Sequence, residues 1–264
     1  MKTRRISYFN LLIIILGGLA LMFIIGPLLG MFIKTNGDFF SDTLADTEVQ
    51  QSIGRTLAIS FLGTFVFAVF SIPLAYVLAR KQFAGKRFVT ALIDLPVVIP
   101  HSAAGIAILL FISRDTFLGS IAEHIGFNMV GHPTGIALAM AYVSIPYLIN
   151  AARDGFLSVP ERYEKAALSL GASQARVFFT ISVPLAWRSI LSGFILMFGR
   201  GMSEFGAVVM VAYHPMITPV LIYERFSQFG LKYAQPVSVI FVIVCLVLFL
   251  GLRWISLEKK SKHA

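Results

Sequence analysis

Charge is scarce in this chain: 13 % of its 264 residues are Asp, Glu, Lys or Arg, against 57 % that are hydrophobic. With a mean hydropathy of +0.82, a soluble domain is excluded, since such domains carry about 25 % charged residues. One cysteine, Cys245, sits in an apolar run, so no intrachain disulfide can form. Enzyme signatures are missing too. There is no G-x-x-x-x-G-K-[ST] loop, because Gly85-Lys86-Arg87 lacks the upstream glycine and the hydroxyl residue. There is no H-E-x-x-H, and Gly199-x-Gly201 followed by Gly206 misses the dinucleotide spacing and has no strand before it. His101, His124, His132, His214 and His263 are scattered and read as loop or packing residues rather than metal ligands. No catalytic residue, metal or cofactor is therefore expected, and energy for any active process must come from another polypeptide. The net charge of +9 does not imply nucleic acid, because the basic residues lie in the loops between apolar runs.

What is present is long uncharged sequence. Lys2, Arg4 and Arg5 precede a run with no small-x-small cleavage site before Lys34, so Leu11 to Ile33 reads as a retained first span rather than a signal peptide. An acidic loop follows, with Asp38, Asp42, Asp46 and Glu48. Thr56 to Ala79 is a second span, with a kink expected at Pro73. The third, Phe88 to Ser113, is interrupted by Asp94, Pro96, Pro100 and His101, and two readings are open. It is a broken helix lining a pathway, or a short interfacial helix followed by a true span from His101 onward. Residues 114 to 132 form a mixed loop that can dip into the membrane. Pro133 to Ala152 is the fourth span, Ile190 to Tyr213 the fifth and Ala234 to Leu252 the sixth. The expected fold is all-α, an integral membrane protein with six transmembrane helices.

Six spans put both termini on one side, and charge selects which. The N-terminus, the 80 to 87 turn, the 153 to 188 loop and the C-terminal tail together hold 16 of the 22 basic residues. The positive-inside rule makes that side, with both termini, cytoplasmic.

The longest cytoplasmic segment, Ser158 to Pro184, is a polar island. Ser158 and Glu161 have capping-box spacing, with Pro160 in the first turn. Tyr163, Ala166, Ala167 and Leu170 form an apolar stripe, while Glu161, Arg162, Glu164 and Lys165 take the other side and face a partner. Gly171 offers a left-handed C-cap and Ser173 an N-cap for a second helix through Thr180, which Pro184 is expected to stop. Ala166, Ala167, Gly171, Ile181 and Pro184 lie at the spacing of the cytoplasmic loop of ABC importer permeases, which this segment resembles. Lys165 stands where that pattern has Glu, with Glu164 one residue earlier, and Val183 replaces Leu. The other reading is an ordinary amphipathic surface helix. The resemblance implies that the 158 to 184 loop couples to an ATP-hydrolysing subunit through Glu161, Glu164, Lys165, Ala166, Ala167, Gly171 and Ala172.

The fifth span carries the chain's only charged pair deep in apolar sequence, Arg200 and Glu204, one helical turn apart and near the bilayer midplane. A lone charge there costs at least ~2.5 kcal/mol, so the two should face each other, a neighbouring helix or a wet cavity. Either they lock this helix to its neighbours or they form part of a gate, and both readings stay open. Ser203 to Ala207, followed by Pro215, Pro219, Leu221, Ile222, Tyr223 and Glu224, is similar to the molybdate and tungstate branch of these permeases, part of which sulfate and thiosulfate permeases share. The resemblance implies a homodimeric pathway with gate candidates Pro100, His101, Arg200, Ser203, Glu204 and Phe205. It also implies two ATP-binding cassette subunits and an extracytoplasmic oxyanion-binding protein, in a cell membrane. On this view residues 1 to 264 are one permease domain, with 1 to 52 the first helix plus external loop and about 53 to 256 the core helices.

Overall fold

The computed structural model describes residues 8–124, 126 and 128–257. Lys2, Arg4, Arg5, Lys259, Lys260 and Lys262, which weighed in the charge count, lie outside these residues. Among the described residues there is no strand. In chain order the helices are α1 (Tyr8–Ile33), α2 (Gly37–Ala45), α3 (Thr47–Arg80), α4 (Lys86–Val98), α5 (His101–Ile112), α6 (Phe117–His124) and α7 (Pro133–Ser158). Then follow α8 (Glu161–Ser169), α9 (Gln174–Val177), a π-helical turn (Phe178–Ser182), α10 (Val183–Met202), α11 (Gly206–Val211), α12 (Thr218–Phe229) and α13 (Leu231–Leu257).

Among the described residues, five stretches are long and apolar enough to cross a membrane: α1, α3, α7, Gln174–Met202 and Leu231–Leu252. A sixth crossing exists only if α4 and α5 count together, bent by 113°. At 12 residues, α5 spans about 18 Å and cannot cross a core of about 30 Å alone. That rules out a true span beginning at His101 and leaves a bent pair, either a broken span or a re-entrant loop. Pro100 causes the break, because it has no amide to donate and it forces Ile99 into extended backbone (φ −72°, ψ 150°).

The fifth span departs from expectation at both ends. Pro184 does not stop the second loop helix. The wider π-turn before it accommodates a ring that would collide with a carbonyl four residues back, and the helix runs on into the membrane. At the far end the span stops at Met202, with Ser203 at φ −87°, ψ 3°, instead of continuing to Tyr213.

The spine of the bundle is α7, with Ile136, Ala139, Met140, Val143, Leu148, Ile149, Ala152 and Phe156 all buried. Small residues set its spacing to its neighbours. A Cβ on Gly193 would sit 2.8 Å from Ala151 Cβ, and one on Gly201 would meet Ser60 Oγ at 2.8 Å and Met140 Cβ at 3.6 Å. Those pairs run in opposite directions along the two helices, so α10 is antiparallel to α7. The level of Gly201 is therefore close to the middle of α7. One apolar cluster joins α5, α7, α11 and α12 toward the N-terminal end of α7, and another joins α3, α7 and α10 toward its C-terminal end. By contrast, α1 buries none of its residues.

At Gly105 of α5, an added Cβ would lie 2.7 Å from the Ala207 carbonyl oxygen and 2.8 Å from Ala207 Cα. Backbone cannot yield as a side-chain tip can, so Gly105→Val should destabilise the fold by about 1–3 kcal/mol. Gly199→Ala, where nothing lies within 4 Å, is the control. Thermal unfolding in detergent checks this; equal midpoints for the two variants would contradict the packing account.

Candidate functional site

The 158 to 184 loop folds as two short helices, though not by all of the expected contacts. Ser158 ends α7 and donates to the Gly155 carbonyl at 2.7 Å, so no capping box forms with Glu161. Glu161 instead pairs with Lys165 at 2.8 Å on the open surface, which holds its carboxyl below the ordinary value. Gly171 is left-handed at φ +88°, a conformation that costs a residue with a Cβ roughly 1–2 kcal/mol. Ser173 Oγ accepts from the Arg176 amide as the N-cap of α9.

Orientation is the larger correction. Glu164, expected to face a partner, is the one buried residue of α8. Its carboxylate takes Arg80 Nη2 at 2.8 Å and Arg80 Nε at 3.0 Å on both oxygens. Ser182 Oγ donates at 2.8 Å and Tyr76 Oη at 3.2 Å. Arg80 Nη2 also donates to the Val159 carbonyl at 2.9 Å. Burial raises the Glu164 carboxyl, but the Arg80 and Ser182 hydrogen bonds and the Arg80 charge outweigh it and hold it below its ordinary value. Conversely, the apolar residues face outward: Tyr163 and Ala166 are exposed and Leu170 is 90 % exposed. Within this chain the helix is inside out, with a charge buried and hydrocarbon on show.

At mid-membrane the expected Arg200 and Glu204 pair exists, with Nη2 to Oε2 at 2.9 Å. The two are not one turn apart on a continuous helix, because α10 ends between them. Glu204 lies in the break and is 1 % exposed, and its Oε1 accepts the Ala207 amide at 2.9 Å, closing the start of α11. His101 joins them: Nδ1 lies 2.8 Å from Glu204 Oε2, and Arg200 Nη2 is 2.9 Å from both ring nitrogens. A neutral ring protonated on Nδ1 satisfies both neighbours, donating to Glu204 and accepting from Arg200 on Nε2. Arg200 Nη1 reaches the Ser203 hydroxyl at 3.4 Å. Pro100 precedes His101 at the α4–α5 bend, and Phe205 stacks on Tyr223 with ring centroids 4.9 Å apart. The two breaks, at Pro100 and at Ser203, thus meet at one ionic cluster. A cavity of about 520 Å³ opens beside it, lined by Tyr147, Gly199, Arg200, Ser203 and residues of α13.

Sequence reasoning did not single out Arg80, Tyr76 or Ser182 as partners of Glu164, nor Arg225. The last pairs with Asp46 at 2.7 Å and Glu48 at 2.8 Å, pinning α12 to the start of α3. Burial raises the Asp46 carboxyl, yet the Arg225 hydrogen bond and the Glu48 amide keep it below its ordinary value. Asp94, flagged as an interruption, accepts from Asn150 Nδ2 at 2.6 Å and so joins α4 to α7. Among the described residues no group of three or more metal-ligating side chains exists.

Residues 71–257 match the family described as binding-protein-dependent transport system inner membrane component. The chain belongs to that family. This permease is 43 % identical over 242 residues, 91 % of its length and 92 % of the relative's, to the molybdate/tungstate transport system permease protein WtpB of Pyrococcus furiosus. It is 42 % identical to the WtpB of Thermococcus kodakarensis over 97 % of its length and all of that relative. The probable sulfate transport system permease protein cysT of Chlorokybus atmophyticus is 30 % identical over 87 % of this chain and 83 % of its own. A solved bacterial ABC transporter for import of the acidic polysaccharide alginate contains a chain with a TM-score of 0.73 at 18 % identity, covering 96 % of each. The MetNI methionine ABC transporter gives 0.60 at 14 % identity, over 79 % of this permease and 92 % of that chain. The permease is thus a multi-pass membrane protein with the helical fold of ABC importer permeases.

Two expectations follow from the site. Arg200→Met strands Glu204 in a buried setting and should cost about 3–5 kcal/mol, whereas Arg200→Met with Glu204→Leu should cost clearly less than the sum of the single changes. Unfolding in detergent micelles measures the cycle, and additive costs would contradict the pairing. Because the folded Glu164 carboxyl titrates below its ordinary value of 4.5, the folded loop binds that proton less readily than the unfolded one. The stability it contributes is present above 4.5 and lost as pH falls through the folded value. Amide protection factors across residues 161–182, which correct observed exchange for its intrinsic slowing in acid, should therefore stay high at neutral pH and fall on acidification, and Glu164→Gln should abolish that fall. A loop with the same pH profile in both proteins would contradict it.

Proposed function

We propose that this permease forms the translocation pathway of an ATP-driven importer for molybdate and tungstate, as a homodimer with two ATP-binding cassette subunits. An extracytoplasmic oxyanion-binding protein delivers the anion. The whole chain serves as one permease domain, with both termini and the 158 to 184 loop cytoplasmic. The observation that carries the substrate is the 41–43 % identity to four molybdate/tungstate permeases over 88–97 % of this chain. The sulfate relatives stand at 27–31 %.

Three features of the chain support the mechanism. Tyr163, Ala166 and Leu170 offer an apolar ridge left exposed among the described residues, suited to a groove on an ATPase. Gly171 sets the angle between α8 and α9, with Ala172 directly after it, and Glu161 and Lys165 form the polar rim. In the membrane, the paired breaks at Pro100 and Ser203 meet at His101, Arg200 and Glu204. Two-part helices can change relative angle without unfolding, which suits a gate. The acidic outer segment with Asp38, Asp42, Asp46 and Glu48 is poorly suited to hold an anion, so capture falls to the separate binding protein.

The test is ATPase activity of the complete transporter in lipid vesicles, with the binding protein loaded in turn with molybdate, tungstate and sulfate. Stimulation by molybdate and tungstate but not sulfate is expected. Equal stimulation by sulfate favours the sulfate/thiosulfate alternative, and failure of any ATPase to copurify overturns the coupling role. Gly171→Val, forced into the left-handed region, should lower uptake by about tenfold or more while ATP hydrolysis continues. Unchanged uptake in that variant would contradict the role of the loop.

A further inference from the structure

Among the described residues, α8 buries one side chain against the rest of the chain. All its apolar residues are exposed or half-buried, and only Glu164 is buried. The three side chains that hold Glu164 come from two places: Arg80 and Tyr76 from the last turns of α3, and Ser182 from the π-turn that leads into α10. Arg80 uses its second branch on the Val159 carbonyl, the link between α7 and α8. Beneath this knot, Tyr76 packs edge-on against Phe156 of α7 and Phe178 of the π-turn, with centroids 5.3 and 5.0 Å apart. The Arg80 and Glu164 side chains are 8 % and 9 % exposed, so the pair is shielded from salt and water.

We infer that Arg80 is a positioning residue of the transport cycle: through Glu164 it fastens α8 to α3 and α10, so that force applied to α8 moves those two spans as one body. The inference rests on the coupling role proposed above for the loop. A load on the exposed ridge of α8 meets no buried apolar side chain of that helix, because its apolar residues are exposed or half-buried and Glu164 alone is buried. The buried lateral path is the carboxylate and its fork of donors, and both ends of that path are membrane spans. Of these, α10 carries Arg200 at its far end, and α3 holds α10 there through Ser60 Oγ to the Phe198 carbonyl at 2.9 Å. Arginine is needed for more than charge, since only a planar fork can meet two carboxylate oxygens and a carbonyl together.

The test compares Arg80→Gln, Arg80→Lys and the double reversal Arg80→Glu with Glu164→Arg in the reconstituted transporter. Each is scored for copurification of the ATPase, hydrolysis without binding protein, and stimulation and uptake with molybdate-loaded binding protein. Arg80→Gln should keep the ATPase bound and hydrolysing, since the α8 ridge is intact, while stimulation and uptake fall at least about tenfold. Arg80→Lys should lie between it and the native protein, and the double reversal should recover several-fold over either single reversal. Native stimulation and uptake in Arg80→Gln would overturn the inference. So would loss of ATPase binding in step with uptake and no recovery in the double reversal, which would reduce the pair to holding the loop folded. If Arg80→Gln fails to insert, Arg80→Lys decides alone: native coupling overturns the inference, and several-fold weaker coupling with the ATPase still bound upholds it. Leu170→Asp separates the two layers. An ATPase that stays bound in Leu170→Asp overturns the coupling role itself, whereas its loss, together with native uptake in Arg80→Gln, overturns only the joint.

Discussion

The carboxylate of Glu164 sits under a short helix that otherwise shows its hydrocarbon to the outside. A buried charge survives there because Arg80, Ser182 and Tyr76 converge on it from two spans. Removing one member of such a group leaves an uncompensated ion, which is costly in a way that losing an exposed pair such as Glu161 and Lys165 is not. The rest of the inner half is arranged so that these donors arrive together. The last turn of α3 ends beside the π-turn, and Pro184, tolerated by that turn, lets α9 run into α10 without a loop. A polar knot of this kind is also directional, because a charged fork fixes angle as well as distance.

The same logic recurs at mid-membrane. Glu204 is the other deeply buried carboxylate, and it too sits at a break and is met by an arginine and by groups from a second segment. Helix interruptions free backbone groups that hydrocarbon cannot satisfy. Here the Glu204 carboxylate takes up the Ala207 amide, so the ion pair and the break stabilise each other. Both ionic clusters attach to α10, one at its inner end and one at its outer end. This is the simplest physical route between the α8–α9 loop and the helix breaks at Pro100 and Ser203.

Much of this was legible in the sequence. Six apolar runs, the left-handed Gly171, the Ser173 cap and the closeness of Arg200 to Glu204 all follow from local chemistry. What was not legible is what depends on partners distant in the chain. Arg80 and Glu164 are 84 positions apart, and no periodicity links them. The apolar stripe of α8 pointed the wrong way because amphipathicity says that one face is covered, not by which molecule. The capping box at Ser158 failed because α7 kept that serine as its own last residue. Pro184 misled because a proline stops a regular helix, and the wider turn before it could not be read from composition. His101 was a gate candidate by resemblance alone, and its contact with Arg200 and Glu204 depends on the bend at Pro100, which its spacing in the chain does not reveal.

The central claim is that α8 and the inner end of α3 move together. With Cys245 replaced by serine, spin labels on Ser169 and Val77 report the distance within one chain, and labels on Ser169 of both copies report the distance across the pathway. Between the nucleotide-free and ATP-bound transporter, the account predicts a changed distance across the pathway and an unchanged distance within the chain. A within-chain distance that changes as much as the one across the pathway would show α8 sliding over α3, and would contradict the account.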